Sequence, residues 1–272
     1  MLTSSDLDAY LTRLRHVGSV DASEEALKAL HLAHVLHIPF ENLDVHLGRE
    51  IRLDAASLVA KLVRARRGGY CYEMNGLFAL VLTAIGFDVD HLMARVLKDA
   101  RGTPPRSHHV LLVRTGGRRW LADVGFGGDG LRLPLSLDSD REERQQADTF
   151  RLLKDETYGS VLQHRQGEKW ISLYGFTLEP HVPADFLYAN YYHSHSPDSL
   201  FTQTRICTKP TPEGRITLVD WTMKIRRGPE RSTKRIGSLS EYLDLLRSDF
   251  GIKLDGPLDR LGPGNGLKAG ES

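Results

Sequence analysis

The chain has 272 residues and a formal charge of +1, with Lys+Arg 36 balanced by Asp+Glu 35, so no global field favours nucleic acid, an anionic membrane or an acidic partner. Its two cysteines, Cys71 and Cys207, are far apart without CxxC spacing, which fits neither a disulfide framework nor a cysteine zinc site and points to a reducing cytoplasm. The first residues lack a basic and an apolar region, and the longest apolar stretch, Leu77 to Phe87, is too short to span a bilayer; a soluble, unprocessed protein of two or three units is expected.

Residues 1–86 read as helices. Leu7, Tyr10, Leu11 and Leu14 recur at helical spacing, and Ser23 precedes Glu24-Glu25 and an Ala/Leu-rich run that Pro39 must end. Leu58, Val59, Leu62 and Val63 mark a third helix closed by Gly68-Gly69, and a fourth starts at Cys71 and runs to about Gly86. From Phe87 the period changes to two. Val110-Leu111-Leu112-Val113 and Arg118 to Leu121 flank Thr115-Gly116-Gly117, a hairpin signal. Strand-like runs follow at 131–137, 149–154, 159–164 and 169–177, around a polar stretch from Asp138 to Asp148. Ile216 to Ile225 reads as one strand, and Ser238-x-x-Glu241 as a capping box opening the helix Leu239 to Phe250. The Pro/Gly-rich tail beyond Asp255 has little to bury.

Cys71 is the most informative residue. A glycine-loosened turn, Arg67-Gly68-Gly69-Tyr70, places it at the start of an apolar helix, where the free N–H groups and the helix dipole favour a thiolate. The two glycines would let the backbone approach a ligand closely. Taken alone, such a cysteine is an ordinary core residue. A nucleophile needs a base and a group that orients the base. The hairpin offers both. If Gly116-Gly117 is a two-residue turn, Thr115 faces Arg118, Asp123 falls opposite Val110, and His108 shares its face one diagonal step away. A three-residue turn would select His109 instead. Asp123 could also merely cap the turn that follows it.

These residues carry a family resemblance. Arg67 to Asn75, Ser107-His108 and the run Trp120 to Gly128 (WLADVGFGG) resemble the signatures of the arylamine N-acetyltransferases, with His37 to Leu43 (HIPFENL), Tyr10 to Leu14 and Trp170 to Phe176 in support. The departures, Met74 and Ser107, do not touch the chemistry. The spacing from histidine to aspartate in the family selects His108. The resemblance implies an α+β, papain-like fold in three parts: a helical bundle over 1–90 carrying the cysteine, an antiparallel β-barrel over 91–190 carrying His108 and Asp123, and an α/β lid with a tail over 191–272. It implies a Cys71–His108–Asp123 triad that takes acetyl from acetyl-CoA, with no metal, and passes it by a ping-pong route to an arylamine, arylhydrazine or hydrazide. Gly125, Phe126, Gly127 and Gly128 are expected at the CoA pyrophosphate, and Phe40, Phe126 and Phe201 against the amine. The same triad would also serve an amide synthase, a papain-like hydrolase or a transglutaminase-type acyl transferase.

Other motifs read as structural. His31, His34 and His37 drift around a helix and lack HExxH, and His193-Ser194-His195 is no stronger as a metal motif. The run Lys224 to Arg235 has no aromatic interleaving for nucleic acid and reads as a solvated loop that could at most touch CoA phosphates. Cys207 reads as a small buried residue.

Overall fold

The computed structural model describes residues 2–18 and 20–261. Helix α1 (Ser4–Leu14) opens on a reciprocal cap, Asp6 N–H donating to Thr3 Oγ1 at 3.1 Å and Thr3 N–H to Asp6 Oδ2 at 3.2 Å. Ser23 caps α2 (Glu24–His37) through the Ala26 N–H, and Pro39 stops it as expected. Helix α3 (Leu43–Leu47) is one short turn ending at Gly48. Helix α4 (Ala55–Leu58) continues as a looser π-helical stretch, Val59–Arg64, that buries Val59, Leu62 and Val63. It ends before the glycines: Arg66 turns the chain with φ 54, so Gly68-Gly69 do not terminate it. Helix α5 (Cys71–Ile85) stops at Gly86, whose φ of 108 few other residues adopt. Its inner face buries Leu77, Phe78, Val81 and Leu82 against α1, α2 and the sheet residues Leu111, Val113 and Trp120. Each such apolar side chain contributes about 1.5–3 kcal/mol.

The first sheet is antiparallel and eight-stranded, formed by β2 (Asp88–Val96), β3 (Arg106–Thr115), β4 (Arg118–Ala122), β5 (Leu135–Ser136), β6 (Glu143–Gln145), β7 (Asp148–Asp155), β8 (Gly159–Gln166) and β9 (Lys169–Phe176). Their order is β5-β4-β3-β2-β9-β8-β7-β6. The sheet curls into a nearly closed barrel, and Gln145 links its two ends by accepting from Leu133 N–H and donating to Leu133 O, each at 3.0 Å. The β3–β4 turn is the two-residue one: Thr115 pairs Arg118, with Gly116 and Gly117 at φ 58 and 74. Two expectations fail. Within 131–137 only Leu135–Ser136 is strand, because Arg132 and Leu133 bond to Gln145 instead of a neighbouring backbone, and the polar stretch 138–148 contributes β6.

The second sheet runs β1-β10-β11-β12-β13, from β1 (Phe40–Glu41), β10 (Ile206–Thr211), β11 (Gly214–Val219), β12 (Thr222–Arg227) and β13 (Glu230–Arg235). Ile216 to Ile225 is therefore two strands and not one: Asp220, with φ 46, reverses the chain and pairs Val219 with Thr222. Helix α6 (Phe186–His195) and the short α7 (Leu200–Gln203) lead into this sheet, and α8 (Leu239–Phe250) packs on it. At α8, Ser238 Oγ accepts from Glu241 N–H, but the Glu241 carboxylate accepts from Gly237, so only half the capping box forms. The segment after Asp255 is not idle: Leu261 is fully buried, its carbonyl accepts from Arg205, and Arg260 Nη1 donates to Leu47 O at 3.3 Å. The rest of the tail, 262–272, lies outside the described residues. Among the described residues no helix is long and apolar enough to cross a membrane.

Candidate active site

Residues 67–71 are held from below by charge. Arg67 Nε donates to Glu41 Oε1 at 2.9 Å, and the same oxygen accepts from Gly68 N–H at 3.2 Å. Both charged groups are buried, and Arg67 also pairs with Asp44 at 3.0 Å, so removing Arg67 would strand the Glu41 carboxylate at a cost of about 3–5 kcal/mol. Lys61 adds bonds to Asp44 at 2.8 Å and Glu73 at 2.7 Å, and Glu73 in turn accepts the Tyr70 N–H at 3.1 Å. The glycines serve this packing. A Cβ on Gly68 would stand 2.0 Å from Pro39 O, and one on Gly69 2.7 Å from Glu73.

Cys71 begins α5 and is 4% exposed. His108 points from β3 toward it, and Asp123 lies one residue past the end of the β3–β4 ladder. His108 Nε2 is 2.8 Å from Asp123 Oδ2, with Cys71 the other polar neighbour of the ring, so Nδ1 is left to face the thiol. Burial alone would lower the His108 pKa, but the Asp123 carboxylate and Cys71 reverse this and raise it to about 10. Burial would likewise raise Asp123, yet the facing imidazole, the Asn75 amide and the Gly125 N–H hold it below its ordinary value. The site thus sets a buried imidazolium–carboxylate pair against the Cys71 sulfur. His109 points the other way, its Nε2 2.9 Å from His91 Nδ1.

A cavity of about 450 Å³ opens on Cys71 and His108. It is lined by every residue expected beyond the triad: Phe40, Gly125, Phe126, Gly127, Gly128 and Phe201. The three glycines differ. A Cβ at Gly125 would lie 2.8 Å from Cys71 Cα, and one at Gly127, whose φ is +79, would lie 2.6 Å from the Phe40 ring; at Gly128 it would meet nothing within 4 Å. Only Gly128 is therefore free of demands from the protein itself. None of the basic residues in 224–235 lines the cavity. Arg226 bonds Asp148 and Lys234 bonds Glu241 instead, while β13 is exposed throughout.

Sequence reasoning missed several members. Asn75, one turn after Cys71, donates to Asp123 Oδ1 at 2.9 Å and His109 O at 2.6 Å and accepts from Val124 N–H at 2.9 Å. An amide on the buried face of an apolar helix was the available signal. Lys98, Thr208, Thr217 and His193 also line the cavity, and Lys98 pairs with Asp129 at 3.1 Å. Nothing in their local sequence marks them, since the fold gathers them from separate elements. His31 and His34 are fully buried in the core. Cys207 is buried in β10, and burial pushes its thiol up. Among the described residues no group of His, Cys, Asp and Glu could hold a metal ion.

A family model described as N-acetyltransferase matches residues 24–258. The chain is 39% identical over 254 residues to an arylamine N-acetyltransferase / N-hydroxyarylamine O-acetyltransferase of Salmonella typhimurium, covering 92% of this chain and 89% of the relative. It is 37% identical to the arylamine N-acetyltransferase of Escherichia coli over the same shares. Among solved structures, the Salmonella typhimurium enzyme superposes with TM-score 0.89 at 37% identity, covering 94% of each chain. The Mycobacterium marinum arylamine N-acetyltransferase in complex with CoA gives TM-score 0.89 at 32% identity, covering 94% of this chain and 97% of that one. The α+β, papain-like architecture expected above is the one these neighbours share.

Proposed function

Because the chain belongs to the arylamine N-acetyltransferase family, we propose that it moves the acetyl group of acetyl-CoA to the nitrogen of small aromatic amines and hydrazines by way of an acetyl-cysteine at Cys71. The observation that carries this reading is the His108–Asp123 pair, 2.8 Å apart, set against the Cys71 sulfur in the lining of a 450 Å³ cavity.

In the first half-reaction the Cys71 sulfur, its proton already held by His108, attacks the thioester carbonyl. The carbon–sulfur bond to CoA breaks, and His108 returns the proton to the departing CoA sulfur. The backbone N–H groups of Cys71 and Tyr72 at the start of α5 are the proposed donors to the tetrahedral oxyanion, since those of Glu73 and Met74 donate to Tyr70 O and that of Tyr70 to Glu73. In the second half-reaction the amine nitrogen attacks the acetyl-cysteine, its proton passes to His108, and the Cys71 sulfur leaves as the thiolate facing the restored imidazolium. Asp123 keeps Nε2 protonated, so Nδ1 alone exchanges protons with sulfur and amine. Phe40, Phe126 and Phe201 supply aromatic faces for the amine, and the backbone at Gly127-Gly128 reaches the diphosphate of CoA. Two unpaired cysteines suit a reducing cytoplasm.

Intact mass after brief incubation with acetyl-CoA tests this directly. One adduct of about 42 Da is expected, absent in Cys71→Ala, present in Cys207→Ala and discharged by an arylamine. An unmodified chain whose Cys71 is nonetheless rapidly alkylated would move the donor to another acyl thioester or to the hydrolase chemistry.

A further inference from the structure

His31 belongs to a histidine series that the proposed chemistry leaves unused, yet its ring makes two bonds that no neighbour duplicates. Its Nε2 is 3.1 Å from the backbone nitrogen of Asp123, and its Nδ1 is 2.9 Å from the carbonyl oxygen of Arg132. The backbone N–H can only donate and the carbonyl can only accept. The ring is therefore the neutral form protonated at Nδ1, and a second proton would set two donors face to face. Burial, the largest influence on this ring, holds its pKa down to about 4, so the form persists through the physiological range.

The two bonded groups are the ends of one loop. Residues 123–132 leave β4 at Ala122, where the ladder with β3 stops, so the Asp123 N–H finds no strand partner. The loop carries Asp123 and the cavity residues Gly125, Phe126, Gly127 and Gly128. Its far end is fixed independently by the Arg132 guanidinium, which donates to Asp148 at 3.1 Å and to the carbonyls of Thr211 at 2.8 Å and Gly214 at 2.7 Å. Accordingly, we propose that His31 is a positioning residue: its ring, anchored in α2, clamps both ends of loop 123–132 and so aims Asp123 at His108. This rests on the triad reading given above. The ring belongs to the helical core, its centroid 5.8 Å from that of Phe78 in an edge-on arrangement, so the clamp ties the aim of the acid to the packing of α2 on α5.

The structure supplies its own control. His34, one turn along α2, is equally buried, meets the same Phe78 at 5.4 Å and bonds Tyr10 at 2.8 Å, but is bonded to neither loop end. Replacing either histidine should cost stability; only His31 should change the chemistry. An asparagine at 31 can still donate to Arg132 O from the Nδ1 position but offers nothing to Asp123. A glutamine reaches the Nε2 position with an acceptor oxygen.

The test measures melting temperature and the rate of Cys71 alkylation by iodoacetamide near pH 6, read by intact mass, in full-length native chain, His31→Asn, His31→Gln, His34→Asn and His34→Gln. At that pH an ordinary thiol reacts very slowly. His31→Asn should react about tenfold more slowly than native, the equivalent of one lost hydrogen bond to the acid's backbone, while His31→Gln recovers most of the rate and both His34 variants stay within about threefold of native at comparable melting temperatures. Equal losses in His31→Asn and His34→Asn, or no loss in either, would overturn the clamp while leaving the triad standing. If His31→Asn does not fold, His31→Gln matching native while its stability falls with that of His34→Gln still supports the clamp, and parallel rate losses in the two refute it. A native chain that alkylates like an ordinary thiol would refute the triad reading, and the clamp with it.

Discussion

Replacing Asp123 by Asn tests the electrostatics at the centre of the site. His108 is buried, and burial alone would lower its pKa, yet its surroundings raise it from 6.5 to about 10, which amounts to about 5 kcal/mol in favour of the imidazolium. Most of that comes from a carboxylate at 2.8 Å. The variant is nearly isosteric, and its Oδ1 can still accept from Gly125 N–H, but an amide nitrogen opposite Nε2 would repel the ring's proton and drive it to Nδ1, the atom facing sulfur. The expected loss in kcat/KM for acetyl transfer is about 10³–10⁴-fold, as for a triad base held in the wrong tautomer. The pH profile carries the sharper signature. A raised pKa stabilises the fold fully below 6.5 and loses that contribution as pH climbs through 10, because the folded chain holds a proton that the unfolded one has released. Native stability should therefore fall by about 1.4 kcal/mol per pH unit across this window from His108 alone. In Asp123→Asn that slope should vanish. Urea unfolding at several pH values measures it, alongside single-turnover acetylation. A variant that keeps the alkaline slope, or loses less than about tenfold in rate, would show that the carboxylate is not what charges the histidine.

Three further outcomes follow from the packing. Gly125→Ala should be destabilised by about 2 kcal/mol or more, since its Cβ meets Cys71 Cα at 2.8 Å; Gly128→Ala should melt like the native chain and raise only the KM for acetyl-CoA, so a Gly128→Ala chain with unaltered KM removes Gly128 from the cofactor site. Arg132→Met strips a fully buried cation from Asp148 and from two carbonyls of the second sheet; thermal denaturation should show a loss of about 3–5 kcal/mol, and a near-native melting temperature would mean that His164 and Arg226 suffice for Asp148. Cys207→Ala should keep full activity at a stability cost of about 1 kcal/mol, whereas a loss of acetyl transfer would assign the second thiol a part in the chemistry.

The residues that were legible were those whose signal is local. The turn Gly116-Gly117 admits one register, that register places Asp123 beside His108, and the hydrogen bond is there. Cys71 opens its helix because Tyr70 precedes it in extended backbone. What stayed hidden depends on distant partners. A two-residue strand such as Phe40–Glu41 has no periodicity to detect and exists only because β10 lies beside it. The β11–β12 reversal was masked by flanking β-branched residues, with an aspartate in left-handed backbone where a glycine would have announced a turn. Gly68 and Gly69 were recognisable as points of close approach, but their neighbours turned out to be Pro39 and Glu73. His31 looked like any core histidine because its partners are main-chain atoms, and no side-chain motif encodes those.

The short strand at Phe40–Glu41 also bears on the order in which the chain becomes competent. Glu41 N–H bonds Gly69 O at 3.0 Å beside the nucleophile, while Asn42 donates to Phe201 O and Thr204 O and accepts from Ile206 N–H, partners 159, 162 and 164 residues further along. During synthesis those partners emerge long after Cys71 has left the ribosome. Until they arrive, one flank of the nucleophile's cradle has nothing to pair with, and contacts of such long range are the slow ones to form. The setting of the nucleophile is thus complete only when the last third of the chain has folded back to meet residue 40.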